Sequence, residues 1–474
     1  MRVMLEVTSG PHKGQTFTFA GHDTFLVGRS RRAHLRLPAK DMFFSRVHFL
    51  VEVNPPQLRL LDMGSRNGTY VNGQRVENAD LADGDEVKAG HTVFRVRLDA
   101  TPAPGPSKVV APATVAGGPS PTVREKTPAD VSGSGGMTRC DLPAADILPS
   151  LAPSAAPAPT LGACPVCGAA WGPGPTMPAQ QTVAEGVCVE CLRRGQALPQ
   201  TVPGYRLLRE VGRGGMGVVY LASRDADGKL VALKTITPAI EAGTAEVQKF
   251  LREAGILRQL DHEHIVRFHE MNTAGGQLWF AMDYVPGIDA ARLLLRHGPL
   301  PVRRAVRLVW RLLEALEYAH KLGFVHRDIK PANLLVTERG GRETAVLADF
   351  GLARVYQASQ LSGLTVTGAL GGTPMFMPPE QITHYREAQP PADQYAAAMT
   401  LYNLLTGCYA FDTGDQLKQW ITKILEEEPV PLRQRRPDVP QPLADAVHKA
   451  LSKEPGQRFA SVRALRQALK PFVT

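Results

Sequence analysis

The octapeptide His326-Arg327-Asp328-Ile329-Lys330-Pro331-Ala332-Asn333 puts a carboxylate, an ammonium group and a side-chain amide into one short stretch. Phosphoryl transfer to an alcohol needs these three groups: an acid to orient and deprotonate the hydroxyl, a cation on the moving phosphate, and an oxygen ligand for magnesium. Apolar triplets on either side, Gly323-Phe324-Val325 and Leu334-Leu335-Val336, predict a loop held between two short strands. Downstream, Asp349 ends the apolar run Val346-Leu347-Ala348 and precedes Phe350-Gly351, which suits a second magnesium ligand beside a hinge. Upstream, Gly212-Arg-Gly214-Gly215-Met-Gly217 lets the backbone close over phosphates without side chains in the way. Such glycine spacing is shared by other nucleotide folds, but here a strand follows where a dinucleotide fold would start a helix. The next strand carries Val231-Ala232-Leu233-Lys234, with Lys234 aimed at the α- and β-phosphates. An anion must hold it there. Glu253, on a helical stretch from Thr244 to Leu257, is favoured over Glu246, whose place near the helix start is explained by the helix dipole.

Elements to position these groups take up only part of the chain. At 474 residues it is too long for one core and predicts two to four domains. The net charge of +9 is scattered, with no run of five like charges, so it reads as a solvated basic surface. No uninterrupted apolar stretch is long enough for a membrane span, and the first residues lack the apolar core of a signal peptide, so a soluble cytoplasmic protein is expected. Residues 1–98 alternate apolar and polar positions in short runs separated by Gly, Asn and Asp, predicting an all-β sandwich. Residues 99–160, rich in Ala and Pro, predict a disordered linker. Within residues 161–195, Cys164 and Cys167 form one Cys-x-x-Cys pair and Cys188 and Cys191 another. Four thiolates so spaced predict a closed structural zinc ribbon, a redox dithiol needing only one pair. From Tyr205 to residue 472, strands give way to long helices. Asp393 opens one whose turns from Tyr395 to Leu405 are apolar almost all round, predicting burial at the centre of a lobe.

Two resemblances follow from these residues. Residues 205–472 resemble a bacterial eukaryotic-like (Hanks-type) serine/threonine protein kinase along their whole length. The resemblance implies a two-lobed α+β fold with ATP and Mg2+ or Mn2+. Gly212, Gly214, Gly217, Val219, Ala232, Lys234, Met282, Asp283 and Val285 would line the nucleotide site. Asp328 would be the base, Lys330 the phosphate-stabilising cation, Lys234 and Glu253 the ion pair, and Asn333 and Asp349 the magnesium ligands. Lys330 in this place implies Ser/Thr rather than Tyr as acceptor. Thr373, in Gly372-Thr373-Pro374, precedes Pro378-Pro379-Glu380, a departure from the usual Ala-Pro-Glu; Glu380 would pair with Arg458. Arg327 would pair with a phosphorylated residue of the segment 349–380, with Thr365 or Thr367 as the self-phosphorylated site. The amino-terminal segment is similar to the forkhead-associated (FHA) domain through Gly28-Arg29-Ser30, Ser45-Arg46-Val47-His48 and Ser65-Arg66-Asn67-Gly68. That resemblance implies phosphothreonine-peptide binding by Arg29, Ser45 and Asn67, with Arg66 a further candidate, and loops shaped by Gly28, His48 and Gly68.

The partners implied are ATP, protein substrates, and phosphothreonine proteins or the chain's own phosphorylated segments. Thr127-Pro-Ala-Asp130 and Thr138-Arg-Cys-Asp141 in the linker are candidate internal ligands, although coincidence is the simpler account of them. Two other function classes fit the residues less well. A nucleotide-binding scaffold without catalysis is opposed by the intact Lys234, Asp328 and Asp349. A zinc-ribbon nucleic-acid regulator lacks aromatic residues interleaved with a basic patch.

Overall fold

A computed structural model describes residues 2–19, 23–38, 43–54, 57–99, 164, 191, 195, 198, 202–214, 217–236, 255–274, 277–350, 374–384, 388–412 and 417–473. The expected linker beyond residue 99, Cys167, Cys188, Glu253, Thr365, Thr367 and Thr373 lie outside these residues.

Strand alternation builds the amino-terminal sandwich. In β1 (Arg2–Ser9) every second side chain, Val3, Leu5 and Val7, points inward. One sheet runs β2 (Thr16–Phe19), β1, β11 (Thr92–Asp99), β10 (Glu86–Ala89), β7 (Thr69–Val71), β8 (Gln74–Val76). The other runs β4 (Leu35–Arg36), β3 (Asp23–Gly28), β5 (Phe49–Asn54), β6 (Gln57–Asp62), β9 (Asn78–Asp80). Phe25, Val27, Phe49, Val51, Leu60, Phe94 and Val96 fill the space between them, with the Phe49 and Phe94 rings edge to face at 5.5 Å.

β3 and β5 break the expected pattern, because their outward residues Leu26 and Leu50 are also buried. Together with Val47 and Met63 they belong to the same apolar cluster as the core of the carboxy-terminal part. The sandwich is docked there. Thr24 Oγ1 donates to the carbonyls of Ile382 and Thr383, at 2.9 and 2.7 Å. His34 sits in this contact, its Nδ1 accepting from Leu26 N at 2.9 Å and its ring 4.5 Å from that of His384. Burial, and then the nearby His384, push its pKa from 6.5 down to about 4, against a backbone hydrogen bond to Thr383. The unfolded chain therefore takes up this proton first as pH falls below about 6.5. Stability from His34 is complete above that pH and is lost progressively toward pH 4, by about 2 kcal/mol at pH 5. The thermal midpoint should fall less between pH 7 and 5 in His34→Gln than in wild type; parallel falls would exclude the effect.

The carboxy-terminal part has two lobes. The small one is an antiparallel sheet in the order β12 (Tyr205–Gly214), β13 (Gly217–Arg224), β14 (Leu230–Ile236), β16 (Gln277–Asp283), β15 (Phe268–Ala274). Cys164 and Cys191 pack against it, buried with Leu208 and Leu221 and adjoined by Val211 and Tyr284. The large lobe begins with β17 (Ile288–Asp289) and α1 (Ala290–His297), then α2 (Val302–Lys321) and the hairpin β18 (Leu334–Arg339) and β19 (Arg342–Leu347). It continues with α3 (Pro379–Thr383), α4 (Pro390–Thr406), α5 (Leu417–Glu426), α6 (Leu432–Arg435), α7 (Gln441–Ala450) and α8 (Val462–Leu469). Residues Ala392 to Leu405 of α4 are all buried, as an all-round apolar helix requires. Among the described residues, no helix is long and apolar enough to cross a membrane.

Candidate active site

The flanks of the octapeptide differ from the expected pair of strands. Only Leu334–Arg339 is a strand; Gly323-Phe324-Val325 is an irregular turn off α2. The chain reverses at Gly323, with φ 79°, and Phe324 N donates back to Ala319 O at 2.9 Å, so this segment is tied to the helix end rather than to a sheet.

Asp393 fixes where the loop starts. Fully buried in α4, its two carboxylate oxygens accept from His326 N and Arg327 N, both at 2.8 Å, and from His320 Nε2 at 2.8 Å. Burial opposes its ionisation, but His320 first, then His326 and the backbone donors, outweigh this and hold the carboxyl below the usual range. Arg327 then takes the left-handed conformation, φ 68°, with its Nη2 on Ala388 O at 2.9 Å. His326 Nε2 lies 3.0 Å from Ala348 O, and its Nδ1 accepts from Asp328 N at 3.2 Å. The Phe350 ring stands edge-on to His326 at 4.7 Å, linking the loop to the segment that carries Asp349.

The three expected chemical groups converge. Asn333, in the short turn Pro331–Asn333, donates through Nδ2 to Asp328 O at 2.7 Å and to Asp328 Oδ2 at 3.0 Å. Lys330 Nζ lies 3.1 Å from Asp328 Oδ1. Asp328 is thereby oriented from both sides, with one oxygen on each partner. Lys234 approaches from the small lobe and meets Asp349 Oδ2 at 2.8 Å. Burial disfavours the Asp349 anion, yet Lys234, and then Lys330 and His326, keep its pKa below the ordinary value. With Glu253 outside the described residues, Asp349 is the acid that holds Lys234 here. Asp349 itself has φ 56°, an uncommon conformation for a non-glycine residue.

Sheet register orders the rest of the cleft. Lys234 is paired with Val219 on one side and Phe280 on the other, and Ala232 with Met282, so these side chains share one face of the sheet. Met282 is buried at the end of β16, and Asp283 and Val285 follow where the lobes join. Gly212 faces Val219 and Gly214 faces Gly217 across the β12–β13 hairpin. Gly217 has φ 145°, and a Cβ there would lie 1.9 Å from Thr235 O, so the tight passage of the loop over β14 requires glycine. Glu380 and Arg458 form a bidentate pair at 2.6 and 2.8 Å under the large lobe.

A second constellation lies on the sandwich. Arg29 Nε donates to Phe44 O at 2.6 Å, Ser45 Oγ accepts from Arg66 N at 3.1 Å, and Asn67 Nδ2 donates to Phe43 O at 3.0 Å. Buried His48 joins two of the loops, accepting from Ser45 N at 3.1 Å and donating to Gly68 O at 3.3 Å. A side chain at Gly28 would strike Arg46 O at 2.2 Å, so the Arg29 loop can lie against the Ser45 loop only with glycine here. Sequence reasoning missed Asp62, which accepts from Ser65 N, Ser65 Oγ and Thr69 Oγ1 and so sets the loop bearing Arg66 and Asn67. Burial works against its ionisation, but the Ser65 and Thr69 hydrogen bonds prevail and lower its pKa. Cys164 Sγ and Cys191 Sγ are 4.0 Å apart, close to the separation of two thiolates on one tetrahedral zinc.

Comparison with known proteins finds two domain families in the chain. The Protein kinase domain family matches residues 205–470 and the FHA domain family residues 25–90. The chain is 36% identical to the serine/threonine-protein kinase pkn3 of Myxococcus xanthus over 271 residues, covering 56% of this chain and 49% of that protein. It is 36% identical to the serine/threonine-protein kinase PknD of Mycobacterium tuberculosis over 270 residues, 57% of this chain and 40% of that one. The chain thus spans about half or less of these relatives. The crystal structure of the Mycobacterium tuberculosis PknI kinase domain is similar at a TM-score of 0.46 and 32% identity, over 58% of this chain and 100% of that one.

Proposed function

This chain belongs to the protein kinase family, and from that premise we propose that it transfers the γ-phosphoryl group of ATP to serine and threonine hydroxyls of proteins. The observation that carries the reading is the convergence of Asp328, Lys330 and Asn333 in one loop, with Lys234 and Asp349 joined across the cleft at 2.8 Å. Asp328 orients the acceptor hydroxyl and takes its proton as the oxygen attacks the γ-phosphorus. The bond to the β-bridging oxygen breaks and ADP leaves with that electron pair. Lys330 stands beside the base, where it offsets charge on the moving phosphoryl group. Lys234 holds the α- and β-phosphates, with Glu253 as its partner once Asp349 is engaged elsewhere. Asn333 and Asp349 offer the oxygen donors that magnesium prefers, and the ionised state of Asp349 fits that role. When bound there, magnesium supplies charge neutralisation of the phosphates.

Arg29, Ser45, Arg66 and Asn67 of the FHA domain bind phosphothreonine peptides, supported by an Arg fork and a hydroxyl held on facing loops. Cys164, Cys167, Cys188 and Cys191 hold a structural zinc, supported by the 4.0 Å sulfur separation of the outer pair. Metal analysis should return one zinc per chain, lost in Cys164→Ser; zinc-free wild type would rule the site out.

Incubation with labelled ATP and magnesium tests the central reading. The expected products are phosphoserine and phosphothreonine, with self-phosphorylation at Thr365 or Thr367 that orders the segment against Arg327. Nucleotide binding without transfer would leave a scaffold instead, and phosphotyrosine would overturn the acceptor class.

A further inference from the structure

The sandwich meets the large lobe through the loops that frame its phosphopeptide pocket. Ser30 follows Arg29, Arg46 follows Ser45, and the backbone ties the two pairs together: Arg29 N donates to Ser45 O at 3.1 Å and Ser30 N to Arg46 O at 2.8 Å. Glu426, the last residue of α5, reaches both loops. Ser30 Oγ donates to its Oε1 at 2.5 Å, and Arg46 Nη1 lies 3.9 Å from its Oε2. Arg32 continues the contact, with Nη1 on Leu425 O at 3.2 Å and Nη2 on Glu454 at 2.5 Å. Farther from the pocket, the Thr24 hydroxyl bonds to α3, and Lys418 reaches Glu77 at 3.3 Å.

We propose that the phosphopeptide and the large lobe compete for these two loops, so that a phosphothreonine bound at Arg29 and Ser45 weakens docking of the sandwich on α5, and docking weakens the peptide. The inference rests on the phosphothreonine reading of the pocket given above. Its physical basis is charge. A phosphothreonine carries about −1.5 to −2 at neutral pH. It would arrive one residue away from Ser30 and Arg46, the two groups that Glu426 holds. The Glu426 side chain is only 15% exposed, so water and salt screen this repulsion poorly. Arg46, 62% exposed and loosely paired at 3.9 Å, gains more from a dianion than from Glu426. Backbone hydrogen bonds between the loops leave neither one able to serve both partners unchanged. The docked helix also lies near the carboxy-terminal end of the segment 349–380. Trp420 of α5 packs on Tyr409 at 5.1 Å, and Tyr409 on Phe376 at 5.7 Å. Loss of docking therefore removes support next to the residues that leave that segment.

The test uses the full chain and fluorescent peptides spanning residues 121–133 and 132–144, with Thr127 or Thr138 phosphorylated. Glu426→Gln removes the charge at the pocket rim, while Thr24→Val loosens docking at a distance. Both are expected to bind phosphopeptide about fivefold or more tightly than wild type, the lower range of coupling between linked sites. Saturating peptide should also speed amide exchange across Leu417–Glu426 in wild type. Equal affinities in all three proteins, with binding abolished in Arg29→Ala, would overturn the competition and leave the pocket intact. Tightening in Glu426→Gln alone would overturn it too, since that is a local charge effect without docking. Absence of phosphopeptide binding in wild type and Glu426→Gln alike would remove the pocket reading, and the inference with it.

Discussion

Asp328→Asn is expected to lower kcat for peptide phosphorylation by about 10²- to 10⁴-fold, the usual contribution of a positioned general base. The affinity for ATP should stay near that of wild type. An asparagine can still accept from Asn333 Nδ2 through its oxygen, so the 3.0 Å contact that shapes the loop survives. What disappears is the proton acceptor and the anion facing Lys330 at 3.1 Å. Because the loss falls on the transition state, kcat and kcat/KM should fall together, by about 3 to 5 kcal/mol of activation free energy. Steady-state kinetics with a serine peptide and a separate nucleotide-binding titration would read both. A variant within threefold of wild type would remove Asp328 from the chemistry and leave positioning by Lys234, Asn333 and Asp349 to account for turnover.

The second large effect concerns stability. Glu380→Gln should cost the large lobe about 3 to 5 kcal/mol, since it leaves a buried guanidinium without its counter-charge. The Arg458 side chain is 0% exposed and Glu380 21%. Arg458 also donates to Ser452 O and Pro391 O, both at 2.8 Å, and lies over the Tyr395 ring at 5.1 Å, so it cannot swing out to water without breaking these contacts. In a lobe of this size the thermal midpoint should drop by roughly 10 °C. The double variant Glu380→Leu/Arg458→Met should recover part of the loss, because neither charge is then left buried alone. A single-variant loss below about 1 kcal/mol would mean that the pair is solvated in solution.

Much of the site was legible in the chain because its chemistry is local. Asp328, Lys330 and Asn333 sit on one loop, and their spacing alone brings an acid, a cation and an amide together. The Arg29, Ser45 and Asn67 clusters read in the same way, since each lies on a loop between alternating strands. The contact between Lys234 and Asp349 was not legible. Asp349 was expected on magnesium, and only placement across the cleft puts its Oδ2 2.8 Å from Lys234. The strand expected at Gly323–Val325 failed for a comparable reason, its apolar residues being held to the end of α2 by the Phe324 to Ala319 hydrogen bond.

The docked sandwich divides the two kinds of information most clearly. Phe25-Leu26-Val27 and Phe49-Leu50-Val51 are uninterrupted apolar runs in a segment whose other strands alternate. Such runs suit a sheet covered on both faces, which the alternation expected for residues 1–98 did not include. What covers the outer face depends on matching surfaces that are hundreds of residues apart, with Thr24 on α3 and Ser30 on Glu426. Alternation, loop chemistry and the order of the motifs therefore followed from the sequence by itself, since they depend on neighbours along the chain. That Lys234 meets Asp349 across the cleft, and which surface the sandwich rests on, only the tertiary structure decided, because burial and charge pairing are settled by distances in space.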